Sequence, residues 1–102
     1  MAYVRISLMR PLAGREAEVD ELNRELVQFY RGQAGCLQST VLHATDDSGE
    51  TGRVSFWESE GTADAAASTD RSMFLRSRLH LMVRRGHQDR SFHSDWEQSP
   101  SD

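Results

Sequence analysis

The sequence contains no lysine; all twelve of its basic residues are arginines. Schiff-base chemistry, a P-loop phosphate site and a lysine general base are therefore excluded. Cysteine occurs once, at Cys36, which rules out an internal disulfide framework and suits a reducing cytoplasm. That thiol and the four histidines show no zinc-type spacing. No apolar run is long enough to span a membrane, and the segment after Met1 lacks the apolar core of a signal peptide. No glycine-rich loop resembles a dinucleotide fingerprint, and no Ser-His-Asp arrangement can be inferred from spacing. Excess positive charge is missing as well. A net charge of −4 and an isoelectric point near 5.5 argue against general nucleic-acid binding.

With 102 residues there is room for one domain, expected over 1–96, followed by a disordered acidic tail over 97–102. A chain of this size buries roughly two-thirds of its unfolded surface at best, so a homodimer is a natural remedy for a marginal core. The charge is unevenly placed. Arg71, Arg76, Arg78, Arg84, Arg85 and Arg90 fall within residues 71–90 against the single acid Asp89, while residues 1–70 carry twice as many acids as arginines. Such a stretch either forms a solvated helix face or attracts an anionic ligand or a partner's acidic face.

Hydrophobic periodicity orders the chain. Tyr3 to Met9 alternates as a strand, with Val4, Ile6 and Leu8 on one face and Tyr3, Arg5, Ser7 and Met9 on the other. Glu16 to Arg31 carries Val19, Leu22, Leu26, Phe29 and Tyr30 at helical spacing, with acids in the first turn and Gly32 after Arg31. Gly35 to Thr45 reads as a second strand, with Leu37, Val41 and His43 on one face and Cys36, Thr40 and Leu42 on the other. The turn residues 46–52 then lead into a hairpin partner. That partner places Val54 and Phe56 on one face and Arg53, Ser55 and Trp57 on the other. The aliphatic faces of these strands are expected to meet helices, and the mixed faces a partner or a cavity. A helix capped by Ser59 or Thr62 follows through the alanines 63 and 65–67. A further stripe of Phe74, Leu75, Leu79, Met82 and Val83 begins after Asp70, a plausible cap, although Leu79-His80-Leu81 also suits a short strand. His87 to Phe92 reads as a polar final strand. The order β-α-β-β-α-β predicts an α+β, ferredoxin-like sandwich.

With Gly35-Cys36-Leu37 opening the second strand and Phe56-Trp57-Glu58-Ser59 leading into the second helix, the chain resembles the antibiotic biosynthesis monooxygenase family over roughly Tyr3 to Asp95. The resemblance implies a dimeric α/β barrel. Two four-stranded sheets would pair face to face across a homodimer, each subunit holding a ligand cavity between sheet and helices. The family includes cofactor-free oxygenases of aromatic polyketides, haem-degrading enzymes and isomerases, so residues must decide among them. The haem-degrading pattern asks for an asparagine on the first strand and a tryptophan and histidine on the second helix. Ser7 and Ala65-Ala66-Ala67 stand there instead, and His80 lies too far along. In the cofactor-free pattern Trp57 matches. The residue four earlier is Arg53 where that pattern has an asparagine, and the residue six later is Ala63 where it has a tyrosine.

The resulting reading is a cofactor-independent monooxygenase acting on a small aromatic or quinol-like compound. Such chemistry needs a dry aromatic pocket, a base near neutrality and a cation to hold a phenolate. Trp57 can stack on the substrate or serve as a core residue. His43 or His80 is the candidate base. Arg53 can hold an anion or form a structural ion pair, and Tyr3, Arg5 and Ser7 can complete the binding surface. His87, Asp89 and His93 suggest a metal triad, but the strand between the two histidines would hold them roughly 20 Å apart, so no metal is expected. Trp96 suits a subunit contact, and Cys36 a small buried hydrophobe. A non-catalytic dimeric binding or stress-response module, or an isomerase or cyclase using the same pocket, are the alternatives. Neither nucleic acid nor a membrane is an expected partner.

Overall fold

A computed structural model describes residues 1–95, so Trp96 and the 97–102 tail lie outside the described part. The elements are β1 (Ala2–Met9), α1 (Glu16–Arg31), β2 (Cys36–His43), β3 (Thr51–Trp57), α2 (Glu60–Ala67), α3 (Asp70–His80) and β4 (Gln88–Ser94). The strands form one antiparallel sheet in the order β2-β3-β1-β4, the ferredoxin-like arrangement. Among the described residues no helix is long and apolar enough to cross a membrane.

Two glycines set the close approaches. Gly52 lies opposite Leu8 across β1 and β3, where any Cβ would collide with the Ser7 carbonyl oxygen. Gly35 has φ +83°, and a Cβ there would fall 2.5–2.7 Å from the Thr62 side chain. This glycine thus lets the turn before β2 lie against the start of α2, and its carbonyl accepts the Glu58 N–H at 2.8 Å.

The sheet is covered on the side opposite to the one its aliphatic pattern suggests. Tyr3, Met9 and Trp57 form the core with Val19, Leu22, Leu26 and Tyr30 of α1 and Leu75 and Leu79 of α3. The mixed face therefore meets the helices. Val4, Ile6, Leu8, Val54 and Phe56 lie on the helix-free face, where register sets Val4 between Phe56 and Phe92. The large surfaces of Tyr3, Met9 and Trp57 decide the matter. Together with the stripe of α1 they bury more apolar area than the smaller aliphatics, and the polar side chains among them find partners or face a cavity.

Three further details depart from periodicity. An irregularity between Cys36 and Gln38 shifts the phase of β2, so Cys36 pairs with Trp57 and joins the helix-facing side with Ser39, Val41 and His43. The second helical region is two helices. Ser59 caps α2 in a capping box with Thr62, and Thr69, rather than Asp70, caps α3 through the Ser72 N–H. Extended backbone at Thr69 (ψ 152°) breaks the continuity between them. Leu79 and His80 stay helical, and the strand-like segment follows them. Leu12 donates to Met82 and Arg84 to Arg10, each at 2.8 Å, closing the end of the sandwich beneath α3.

Candidate functional site

Between the mixed face of the sheet and the helices lies a cavity of about 310 Å³. Its strand wall carries Arg5, Ser7 and Met9 from β1 and Arg53, Ser55 and Trp57 from β3, the residues that period-two alternation places on one face. The helices contribute Tyr30 from α1, Ala63 and Ala67 from α2, and Arg76, Leu79 and His80 from α3. Val83, His87, Asp89, Arg90 and Ser91 from the α3–β4 connection and β4, with Ile6 of β1, complete the lining. Ala63 and Ala67 present only methyl groups, and that smallness is what leaves the space open beneath α2.

One end is aromatic. Trp57 is 2% exposed, and Tyr30 meets its ring edge-on at 5.7 Å between centroids. Tyr30, supplied by α1, thus gives the cavity a phenol although Ala63 stands where the family resemblance has a tyrosine. The Tyr30 hydroxyl lies 2.6 Å from Ser72 Oγ, which also accepts from Arg76 Nε at 3.2 Å. Arg76 Nη2 donates to the Ala67 carbonyl at 2.7 Å, and this bond ties α3 back to the end of α2.

Arg53 is the unusual group. It is 8% exposed and donates from Nη1 to Asn23 Oδ1 at 2.9 Å. No carboxylate among the described residues lies within ion-pair distance of it. Burial lowers its guanidinium below the usual value; Tyr30 and Asp89 act against that, and the like charge of Arg76 adds to it. Asn23 is itself fully buried, with its amide nitrogen 3.6 Å from Met9 Sδ. A polar residue on the apolar stripe of α1, one turn after Val19, is the sequence signal for this partner.

The opposite rim carries the histidines. His80 and His87 meet edge-on at 4.5 Å between ring centroids. His87 Nε2 is 3.3 Å from Asp89 Oδ2, and Asp89 Oδ1 accepts from Ser7 Oγ at 2.5 Å. A run of four polar groups from α3 to β1 therefore borders the cavity. No group of residues suited to hold a metal ion occurs among the described residues.

Of the candidates chosen from sequence, Arg53, Trp57, Arg5, Ser7 and His80 come together in this cavity. Arg5 is already engaged, with Asp64 as its ion-pair partner and the Tyr3 hydroxyl accepting from its Nε at 3.3 Å. Tyr3 belongs to the core, where its hydroxyl donates to Ser91 Oγ at 3.0 Å. His43 lies outside the cavity. It is exposed at the end of β2, 3.5 Å from the Asp20 carboxylate, because the cavity lies toward β1 and β4 rather than toward that edge strand. Tyr30, Arg76, His87 and Asp89 joined the site through tertiary contacts; for Arg76 the arginine-rich stretch was the available signal.

The geometry defines an α+β, ferredoxin-like protein with a small, basic and partly aromatic cavity between sheet and helices. Residues 1–72 match the model of the antibiotic biosynthesis monooxygenase family, and the chain belongs to that family. No curated protein matches the sequence. Among solved structures, Rv0793 from Mycobacterium tuberculosis is similar at 15% identity and a TM-score of 0.86, covering 97% of this chain and 100% of its own. A conserved protein from Methanosarcina mazei is similar at 14% identity and a TM-score of 0.86, covering 93% and 94% respectively. SnoaB, a cofactor-independent oxygenase from Streptomyces nogalater, is similar at 14% identity and a TM-score of 0.81, covering 94% and 95%. At these identities the likeness concerns the fold.

Proposed function

We propose that this protein is a cofactor-independent monooxygenase acting on a small phenolic or quinol-like compound. The observation that carries the reading is a buried guanidinium, Arg53, facing the same cavity as the Trp57–Tyr30 aromatic pair. The aromatic pair stacks the ring, Arg53 stabilises negative charge that develops on it, and His80 with His87 accepts the phenolic proton at the rim. The ring supplies the electrons. A quinol and O2 give a hydroxyquinone and water. A ring C–H bond and the O–O bond break, a C–O bond forms, and four electrons pass from the organic substrate to oxygen.

The helix-free face of Val4, Ile6, Leu8, Val54 and Phe56, continued by Phe92 at 40% exposure, supports assembly as a homodimer through the sheets. One free thiol, Cys36, supports placement in the cytoplasm. An isomerase is the second reading. The His80–His87–Asp89 run favours it, since proton transfer at the rim needs no oxygen.

Oxygen uptake by the metal-free protein over a panel of hydroquinols tests the proposal. Uptake above the spontaneous rate, lost in Trp57→Ala and reduced in His80→Ala, is the expected result. Uptake that never exceeds the spontaneous rate across the panel overturns the oxygenase reading.

A further inference from the structure

We propose that the ligand of this cavity carries a full negative charge of its own: it is a one- or two-ring aromatic carboxylate whose carboxylate pairs with Arg53. This inference deepens the proposed function and rests on its assignment of the cavity as the substrate site. The first argument is charge balance. Arg5 has Asp64 as its partner and Arg90 lies 4.8 Å over the Phe92 ring, whereas Arg53 and Arg76 have only neutral partners, Asn23 and Tyr30 for the first and Ser72 and Ala67 for the second. Asp89 is the single acid lining the cavity, and Ser7 and His87 already share its oxygens. Asp89 attracts Arg53 only from beyond ion-pair distance, and the like charge of Arg76 opposes that attraction, so the buried guanidinium has no anion in direct contact.

The chemistry of the missing anion follows from the donor. A guanidinium offers a planar fork of N–H groups, and Arg53, which lines the cavity, commits Nη1 to Asn23 and has N–H groups beyond that one. A carboxylate fits that fork and is ionised at neutral pH. A phenol, with a reference pKa of about 10, is neutral there and brings no charge at the moment of binding. Size limits the remainder. A cavity of about 310 Å³ is at the small end of ligand sites, which favours one or two rings over a four-ring polyketide. The Trp57–Tyr30 wall meets the ring, and a hydroxyl on it can reach the His80–His87 rim.

Calorimetric titration under anaerobic conditions tests this without turnover, using 2,5-dihydroxybenzoate and its neutral analogue 2,5-dihydroxybenzamide. The expected result is that the wild-type protein binds the carboxylate at least tenfold more tightly, and that Arg53→Gln abolishes the preference. Equal affinities in the wild type, failure to bind the carboxylate at millimolar concentration, or a preference that survives in folded Arg53→Gln overturns it. The wild-type comparison needs no variant, so a misfolded Arg53→Gln does not decide the matter. Carboxylate preference in the wild type together with no uptake above the spontaneous rate across the hydroquinol panel would refute the oxygenase reading and leave this inference standing.

Discussion

Replacing Arg53 with methionine should make the ligand-free protein more stable. Burying a guanidinium without an anion carries a desolvation penalty of several kcal/mol, and methionine removes it. Against that gain stands the loss of the donor to Asn23 Oδ1, which leaves a buried acceptor at a penalty of about 1–3 kcal/mol. Methionine keeps most of the stem's packing beside Tyr30. The balance is a stabilisation of about 1–3 kcal/mol. For 102 residues, an unfolding entropy of about 2.1 cal/mol/K per residue converts this to roughly 5–15 °C in Tm. The assay is urea unfolding at fixed protein concentration, because assembly as the proposed homodimer would make apparent stability depend on concentration. Urea also leaves charge interactions unscreened, which guanidinium chloride would not. A second arm adds 2,5-dihydroxybenzoate. At about a hundred times its Kd the wild type should gain about 2.7 kcal/mol and Arg53→Met nothing comparable. Destabilisation of the ligand-free variant by more than about 1 kcal/mol would refute the reasoning. The neighbours of Arg53 would then already offset its charge, and the cavity would need no anion.

Two other perturbations probe the scaffold around the site. Gly35→Ala should destabilise by about 2 kcal/mol or more, since φ +83° disfavours a Cβ and the Thr62 side chain occupies its place; a lower urea midpoint at unchanged m is expected, and a neutral substitution would contradict the geometry. Burial raises the Cys36 thiol above its ordinary value, only partly offset by the Gln38 backbone and the charge of Arg31. Alkylation by iodoacetamide at pH 8 should therefore be several-fold slower than for the urea-unfolded chain, and equal rates would count against that burial.

Local pattern accounts for much of the architecture. Alternation in Tyr3–Met9 and Arg53–Trp57, the stripe of α1 and the turn residues between β2 and β3 specify strands and helices in a ferredoxin-like order, because side-chain period follows backbone geometry. The same alternation places Arg53, Ser55 and Trp57 on one face, so this part of the candidate site was legible before any tertiary contact. Which face the helices cover was not. A period of two is symmetric between the faces, and only the summed burial of Tyr3, Met9 and Trp57 against α1 and α3 breaks that symmetry. The phase of β2 was hidden by the irregularity at Cys36–Gln38, since an inserted residue moves the side chains before it to the other face. Sequence distance equally concealed the partners of the cavity. Tyr30 on α1 and Arg76 on α3 lie far in sequence from the His87–Asp89 pair, and it is the antiparallel placement of β4 beside β1 that brings Asp89 to Ser7 while leaving His43 at the far edge. Residue types and their local phase belong to the sequence; the choice of buried face and the gathering of distant charges around one cavity belong to the packed chain.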